Sequence, residues 1–372
     1  MRVLSVYRTY FPDPPGGLQE AIRQICLSTT DLKVANTIYT LSPKPTPRQL
    51  NYHEARVIRA RSWMSPASCD VGGVDAFSSF FQLAKSADVL HYFFPWPFAD
   101  ILNQVARSSK PAVLTYISDV VRQKMLGSLY APLMWKTLRE MNIIVANCPA
   151  YAETSPVLSH PSIRDKVRVI PLGINENSYP KNGDDSVFGR ISVSASEPYF
   201  LFLGVLRYYK GIHTLISAAR SVNAKIVIAG SGPEGLSLMK QATELGLINV
   251  IFAGQVTEEE KVSLIKNCRA LVLPSHLRSE AYGMVLVEAS MMGRPMISCE
   301  IGTGTSYVNQ HESTGLVIQP ENTEQMTDAM QVMLNDNELA NNFGRNARLR
   351  YEQNFSGEAL GQAYLSAYQD AL

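Results

Sequence analysis

No two cysteines of the chain stand close enough to form a metal-binding pair. Cys26, Cys69, Cys148, Cys268 and Cys299 are far apart and odd in number, which excludes a disulfide framework and predicts reduced, mostly buried thiols. The six histidines do not gather beside them, so no metal site is expected. Long hydrophobic runs are missing too. Nothing approaches the roughly 18 apolar residues of a membrane span. The N-terminus, Met-Arg-Val-Leu-Ser-Val-Tyr-Arg, puts charge where a secretory signal would be apolar, and a cytoplasmic protein is expected. Neither sign of charge is in excess: 34 Lys and Arg against 33 Asp and Glu leave +1, which excludes a strong general affinity for nucleic acid. Short repeats and low-complexity tracts are absent as well.

What is present is a globular composition, 46% hydrophobic and 18% charged over 372 residues. At roughly 150 residues per domain it predicts two domains. The small net charge hides an asymmetry. Residues 1–180 hold 19 basic and 13 acidic residues, 19 − 13 = +6, and the remainder 15 against 20, 15 − 20 = −5. An anionic partner would prefer the first half, although a solvated surface explains the imbalance equally well.

Buried apolar runs at Val3 to Val6, Asp88 to Phe94, Ala112 to Ile117 and Ile143 to Asn147 alternate with polar or helical stretches, as parallel strands do. A second series follows near Tyr199 to Leu206, Lys225 to Ala229, Val250 to Ala253, Ala270 to Pro274, Pro295 to Cys299 and Gly315 to Ile318. Ile212, Leu215, Ile216 and Ala219 keep the spacing of a buried helix face, and Thr257 with Glu260 has capping-box spacing. The expected organisation is an α/β domain over 1–178, a linker over 179–197 and a second α/β domain over 198–355. Residues 356–372 would form a C-terminal helix returning to the first domain. Such sheets bind ligands beyond the carboxyl ends of their strands.

Several loops in those positions carry chemistry. Gly16 and Gly17 precede the first helix and can bring N–H groups to an anion, or simply make a turn. Gly230-Ser-Gly-Pro-Glu-Gly235 fits the dinucleotide fingerprint, but the acidic residue expected about 20 positions on is missing from Asn249 to Gly254. Arg207 and Lys210 occupy a turn between strand and helix, where fixed cations can stabilise a departing diphosphate or merely face solvent. The most specific segment runs from Leu273 to Gly293, with Glu280 on a loop and Glu288 in a helix. At 1.5 Å per helical residue the two carboxylates can lie up to about 12 Å apart, too far for a glycosidase pair at roughly 5 to 9.5 Å. That separation suits two hydroxyl-bearing parts of one ligand, with an outward-facing Glu288 as the alternative.

In this order the motifs resemble glycosyltransferase family 4, the retaining nucleotide-sugar transferases of GT-B fold. Gly16-Gly17, Pro171-Leu-Gly-Ile174, Lys210-Gly211, Gly230-Ser-Gly-Pro233 and above all Glu280 to Glu288 carry the likeness. The resemblance implies an α/β fold of two Rossmann-like doubly wound domains facing across a cleft. It implies that Arg207 and Lys210 bind the donor pyrophosphate, Glu280 the sugar hydroxyls and Glu288 the ribose. Gly16, Gly17, Gly283, Thr303, Gly304 and Thr305 would complete the donor site. No Asp-x-Asp metal motif is present, and neither a metal nor a cofactor is expected. Two departures stand out: Val205 follows the first strand's glycine where relatives often have Arg, and Ile117 stands where many carry a histidine.

Leu90 to Pro97 and Gly302 to Asn309 resemble bacterial mannosyltransferases of O-antigen assembly, implying GDP-mannose as donor and an undecaprenyl-diphosphate-linked glycan as acceptor. Asp119, Arg122 and Arg59 are the acceptor candidates. Arg56, Arg59, Arg61 and Trp63 would favour peripheral contact with the inner membrane, or form a strand with solvated arginines. The alternatives are a family 4 transferase using a UDP-sugar, a nucleotide-sugar-binding protein without turnover, a sugar-nucleotide epimerase and a dinucleotide-dependent oxidoreductase.

Overall fold

The computed structural model describes residues 1–13, 17–65, 69–106, 108–117, 124–194 and 196–372, the side chains of 124–129 aside. The chain divides into two units, Met1–Gly173 with Gly357–Leu372, and Ile174–Ser356.

In the first unit the sequence alternates between short apolar strands and amphipathic helices. The elements are β1 (Arg2–Val6), α1 (Gly17–Thr30), β2 (Ala35–Ser42), β3 (Gln49–Asn51), β4 (Arg56–Met64), β5 (Val71–Gly72), α2 (Val74–Ser86), β6 (Val89–Phe94), α3 (Pro97–Ala106), β7 (Ala112–Tyr116), α4 (Lys124–Glu140), β8 (Ile143–Ala146), α5 (Pro149–Thr154) and β9 (Val167–Val169). The sheet runs β3-β4-β2-β1-β6-β7-β8-β9, with β5 beside β4. Only β3 and β5 pair antiparallel, both with β4. Every residue of β6, β7 and β8 is buried, as strands covered on both faces must be. Strand order reverses between β1 and β6, where Val3 pairs with Val89 and Leu4 with Leu90.

The second unit repeats the plan with α6 (Ser186–Arg190), β10 (Tyr199–Leu203), α7 (Ile212–Ala218), β11 (Lys225–Ala229), α8 (Gly235–Glu244), β12 (Val250–Gly254), α9 (Glu258–Asn267), β13 (Ala270–Leu273), α10 (Met284–Met291), β14 (Met296–Cys299), α11 (Gly304–Val308), β15 (Gly315–Ile318), α12 (Thr323–Asn335) and α13 (Asn337–Asn354). Its sheet, all parallel, runs β12-β11-β10-β13-β14-β15. The order reverses between β10 and β13, so the loops after these two strands leave the sheet side by side. Ile212, Leu215, Ile216 and Ala219 are buried. The capping box also forms: the Glu260 amide donates to the Thr257 hydroxyl over 3.1 Å, and the Thr257 amide to the Glu260 carboxylate over 2.9 Å.

Residues 179–197, read from the sequence as a linker, lie inside this second unit. Their polar composition conceals two apolar anchors, Val187 and Phe188, buried on α6. Arg190 then ties α6 to Glu260 on α9 (2.8 Å) and to the Ala253 carbonyl (2.8 Å).

After α13 the chain re-enters the first unit as α14 (Gly357–Ala371). Gly361 lets α14 approach α1 closely, because a Cβ there would lie 2.4 Å from the Ser28 carbonyl oxygen. A buried polar chain fixes the helix further. The Tyr368 hydroxyl meets His91 Nδ1 at 2.8 Å, Thr115 Oγ1 meets His91 Nε2 at 2.7 Å, and the Tyr364 hydroxyl meets Thr115 at 3.0 Å. Burial lowers the His91 pKa to about 3, so the ring is neutral. In the unfolded chain the same ring titrates near 6.5. Between these values the unfolded state holds more protons, so stability falls as pH is lowered through that window, by on the order of 5 kcal/mol at its acid end. Urea unfolding at pH 7.5 and 4.5 is expected to show about half of this loss, roughly 2 to 3 kcal/mol, and a His91→Gln variant to have a flatter dependence. Tyr368→Phe is expected to cost about 1 to 3 kcal/mol at pH 7.5, because His91 Nδ1 is left buried without a partner.

Candidate active site

The reversal of strand order in the second unit brings two loops together. One leaves β10 at Gly204 and runs through Arg207 to a single turn at Tyr208–Lys210 and to Gly211, which opens α7. The other leaves β13 at Pro274 and reaches Glu280 before α10. Gly211 has φ 67°, and a Cβ on it would lie 2.1 Å from the Pro274 carbonyl oxygen. Only glycine permits that approach.

Glycine has the same use at the third loop of this edge. A Cβ on Gly230 would meet the Gly204 carbonyl oxygen at 2.0 Å, and the Leu206 amide donates to the Ser231 carbonyl (3.0 Å). The segment therefore welds one loop to the other, which accounts for Gly230 and Gly232 without a dinucleotide.

Lys210 and Glu280 meet across the paired loops as a salt bridge. The Ser275 hydroxyl donates to the same carboxylate oxygen over 3.1 Å. Burial by itself pulls the Lys210 pKa down, but the Glu280 charge, with Tyr209 and the hydrogen bond, outweighs it and the net shift is upward. Lys210 is thus a cation throughout the neutral range, and on the alkaline side its contribution is lost as pH rises past the ordinary lysine value. Arg207 is exposed on the same turn and borders a cavity of about 200 Å³ together with Tyr208, His213 and Glu234. Beneath the turn His276 is buried, edge-on to Tyr208 at 4.9 Å between ring centroids, and burial lowers its pKa.

Glu288 lies on α10, seven intervening residues beyond Glu280. It does not face freely outward, since its side chain is only 12% exposed. Tyr179 donates its hydroxyl to Glu288 Oε1 over 2.5 Å, and Lys261 on α9 donates to the same oxygen over 3.1 Å. Lys261 also pairs with Glu258 (2.6 Å) and stands 4.6 Å from the centre of the Tyr179 ring. Its pKa is raised, because Glu288 and Glu258 outweigh the downward pull of burial.

Thr303 and Thr305 are buried, and each spends its hydroxyl on backbone: Thr303 on the Glu280 carbonyl (2.8 Å), Thr305 on the Cys299 carbonyl (3.1 Å). The Gly304 amide donates to the Ala281 carbonyl (3.0 Å). Thr303 and Gly304 thus pin the Glu280 segment in place, and Thr305 fastens its own loop to the end of β14. Gly283 ends that segment, immediately before α10.

In the first unit Gly17 opens α1 in open space. Gly16, Asp119 and Arg122 lie outside the described residues. Arg59 is buried, not solvated. It pairs with Asp13 (3.2 Å) and donates to the Ser42 hydroxyl (2.8 Å) and the Lys44 carbonyl (3.1 Å), so it braces the loop after β1. Ile117 donates its amide to the Phe94 carbonyl (3.2 Å).

Sequence reasoning missed Tyr179 and Lys261. Tyr179 stood in the supposed linker. Lys261 sat in the charged run Glu258-Glu-Glu-Lys261 that a solvated helix start also shows. Its position just after β12, at the ligand-binding edge of the sheet, was the available signal.

Comparison with known proteins places this geometry. The family model for glycosyl transferases group 1 matches residues 188–350. The D-rhamnosyltransferase WbpZ of Pseudomonas aeruginosa is 42% identical over 356 residues, 96% of this chain and 92% of that protein. O-antigen chain mannosyltransferase C of Escherichia coli is 38% identical over 372 residues, 100% of this chain and 99% of that one. Among solved structures, Anabaena HepE in complex with UDP superposes with a TM-score of 0.79 at 18% identity, covering 99% of this chain and 100% of that chain. The likeness extends over both units and gives the fold as GT-B.

Breaking the Lys210 salt bridge leaves a buried carboxylate without its cation, so Lys210→Met is expected to cost about 3 kcal/mol of stability. Adding Glu280→Gln is expected to recover most of that loss, because a neutral amide needs no counter-charge. Urea unfolding of wild type, both single variants and the double variant measures the coupling.

Proposed function

The chain belongs to the group 1 glycosyl transferases, enzymes that take a sugar from a nucleotide donor to a glycan acceptor, and from that membership we propose how this one works and on what. Arg207 and Lys210 receive the donor diphosphate, Glu280 the hydroxyls of the sugar and Glu288 those of the ribose. The observation that carries this reading is the Lys210 to Glu280 pair beside an exposed Arg207, at the point where strand order reverses. Donor phosphate displaces the Glu280 carboxylate from Lys210, and Glu280, still held by Ser275, turns to the sugar. As the glycosidic bond to phosphate breaks, charge develops on the diphosphate, where two fixed cations lower the barrier.

Among the described residues no side chain is an evident covalent nucleophile, and Ile117 supplies no base. The proposed reaction therefore proceeds on one face of the sugar with retention, the departing phosphate taking the acceptor proton. The proposed step draws its positive charge from Arg207 and Lys210.

Two donors remain in play, and each has its support. The names of the rhamnosyl and mannosyl relatives favour a mannose-type sugar, in keeping with GDP-mannose. The UDP held by Anabaena HepE favours a uridine donor, and the UDP-sugar reading has this bound nucleotide behind it. The acceptor proposed is a lipid-linked glycan of a surface polysaccharide. Asp119, Arg122 and the loop braced by Arg59 would serve it. Among the described residues no helix is long and apolar enough to cross a membrane. Trp63 and Met64, 66% and 61% exposed beside the exposed Arg61, support a peripheral contact with an anionic surface.

Calorimetric titration with GDP and UDP, followed by transfer assays with GDP-mannose and UDP-glucose, tests the donor. Tighter binding and turnover with the guanosine pair would sustain the mannosyl reading, and the opposite ranking the UDP-sugar one. Absence of turnover with any donor and lipid-linked acceptor would count against the proposed reaction. Lys210→Ala is expected to lower kcat by about 10²- to 10³-fold, and Glu288→Ala to weaken nucleotide binding about tenfold or more.

A further inference from the structure

Glu288 uses its two carboxylate oxygens unequally. Oε1 receives both the Tyr179 hydroxyl and the Lys261 ammonium, whereas Oε2 carries no hydrogen bond among the described residues. A carboxylate gripped by one oxygen has its plane fixed and its other oxygen presented in one direction, which suits recognition of a vicinal diol.

The grip comes from a segment built to deliver it. The strap Ile174 to Tyr179 is tied down at its start, where the Ile174 amide donates to the Phe355 carbonyl and the Tyr351 hydroxyl to the Ile174 carbonyl, each over 2.8 Å. Midway, Glu176 receives both arms of Arg348 at 2.9 Å. Arg348 also donates to the Met291 carbonyl over 2.5 Å, at the far end of the helix that carries Glu288. Asn175 caps the turn Glu176–Ser178 that aims Tyr179. One bidentate arginine thus locks strap and helix to each other, and the tyrosine hydroxyl closes the loop between them.

We propose that Tyr179 is a positioning residue, holding Glu288 Oε1 so that Oε2 meets the ribose hydroxyls of the donor nucleotide. The inference rests on the nucleotide-sugar reading of the site and adds to it the residue that orients the ribose contact. Lys261 shares the oxygen as a counter-charge, but the directional bond belongs to the phenol. Tyr179 touches neither sugar nor diphosphate, so its effect falls on donor binding and not on the bond that breaks.

The test uses the full chain and its Tyr179→Phe variant, with UDP, GDP and their 2′,3′-dideoxy counterparts as calorimetric probes, and donor KM and kcat alongside. The expected result is about tenfold weaker binding of the ribonucleotide, little change for the dideoxy nucleotide, a donor KM raised about tenfold and kcat within about twofold. In a Glu288→Gln background the same substitution should change ribonucleotide binding much less, since the contact it serves is already impaired. Equal weakening of ribo and dideoxy nucleotides, or an effect on kcat alone, would overturn the proposal and leave Tyr179 a structural residue. Unchanged binding in Tyr179→Phe would overturn it as well. If wild type binds none of the four nucleotides, the nucleotide-sugar reading itself fails, an outcome distinct from a failure of the tyrosine alone. The hydroxyl deletion is isosteric and Tyr179 is half-buried, and a melting curve for each variant separates misfolding from lost recognition.

Discussion

Two parallel strands whose helices depart to opposite faces of a sheet leave their carboxyl ends uncovered, and in the second unit β10 and β13 are that pair. Everything chemical in the unit depends on how closely the loops from those ends approach. Backbone meets backbone at Gly211 and Pro274 and again at Gly230 and Gly204, at separations that exclude any Cβ. Such contacts fix the loops far more tightly than side-chain packing, because backbone atoms have no rotamers to yield. Lys210 and Glu280 project from this rigid frame, which is why a lysine from one loop and a glutamate from another find each other without intervening elements.

The buried charges around the frame are balanced in pairs, Lys210 with Glu280 and Lys261 with Glu288. Desolvating either partner alone would cost several kcal/mol, and pairing offsets much of that. The arrangement has a chemical consequence. In the proposed function a donor diphosphate would replace Glu280 at Lys210 and sugar hydroxyls would replace Lys210 at Glu280, so that pair exchanges one satisfied network for another, while Lys261 and Tyr179 stay on Glu288. Arg207, exposed and on the same turn, would add positive charge for a dianionic ligand under the proposed function.

Much of this was legible in the sequence. The strands of both sheets announce themselves as apolar runs, and the basic turn and the Glu280 to Glu288 segment could be placed on loop and helix from spacing alone. Thr257 and Glu260 gave a helix start that the hydrogen bonds reproduce. What escaped depends on tertiary neighbours. A sequence cannot say that Arg59 turns inward to Asp13 and Ser42, because an arginine on a strand is as compatible with solvent as with a buried acid until the loop from Asp13 is in place. Thr303 and Thr305 looked like ligand hydroxyls, and their hydroxyls instead hold backbone carbonyls. Tyr179 was hidden by composition: Asn, Ser, Pro and Gly around it read as a linker, yet the strap is fastened by Arg348, which lies 169 residues further along the chain.

That distance in sequence explains why the motif segment is informative about the family and silent about the particular sugar. Glu280 and Glu288 are set by the frame, and their spacing follows from one loop and one helix, so any chain with this topology can carry them. Their exact aim is set by residues from elsewhere: Ser275 and Lys210 for the first, Tyr179 and Lys261 for the second. A transferase that changed its donor would keep the two carboxylates and alter what grips them. Rotating the Glu288 carboxylate by moving a hydroxyl on a distant strap leaves Arg207 and Lys210 untouched. Donor affinity through the ribose can then change while the turn that carries Arg207 and Lys210 stays as it is.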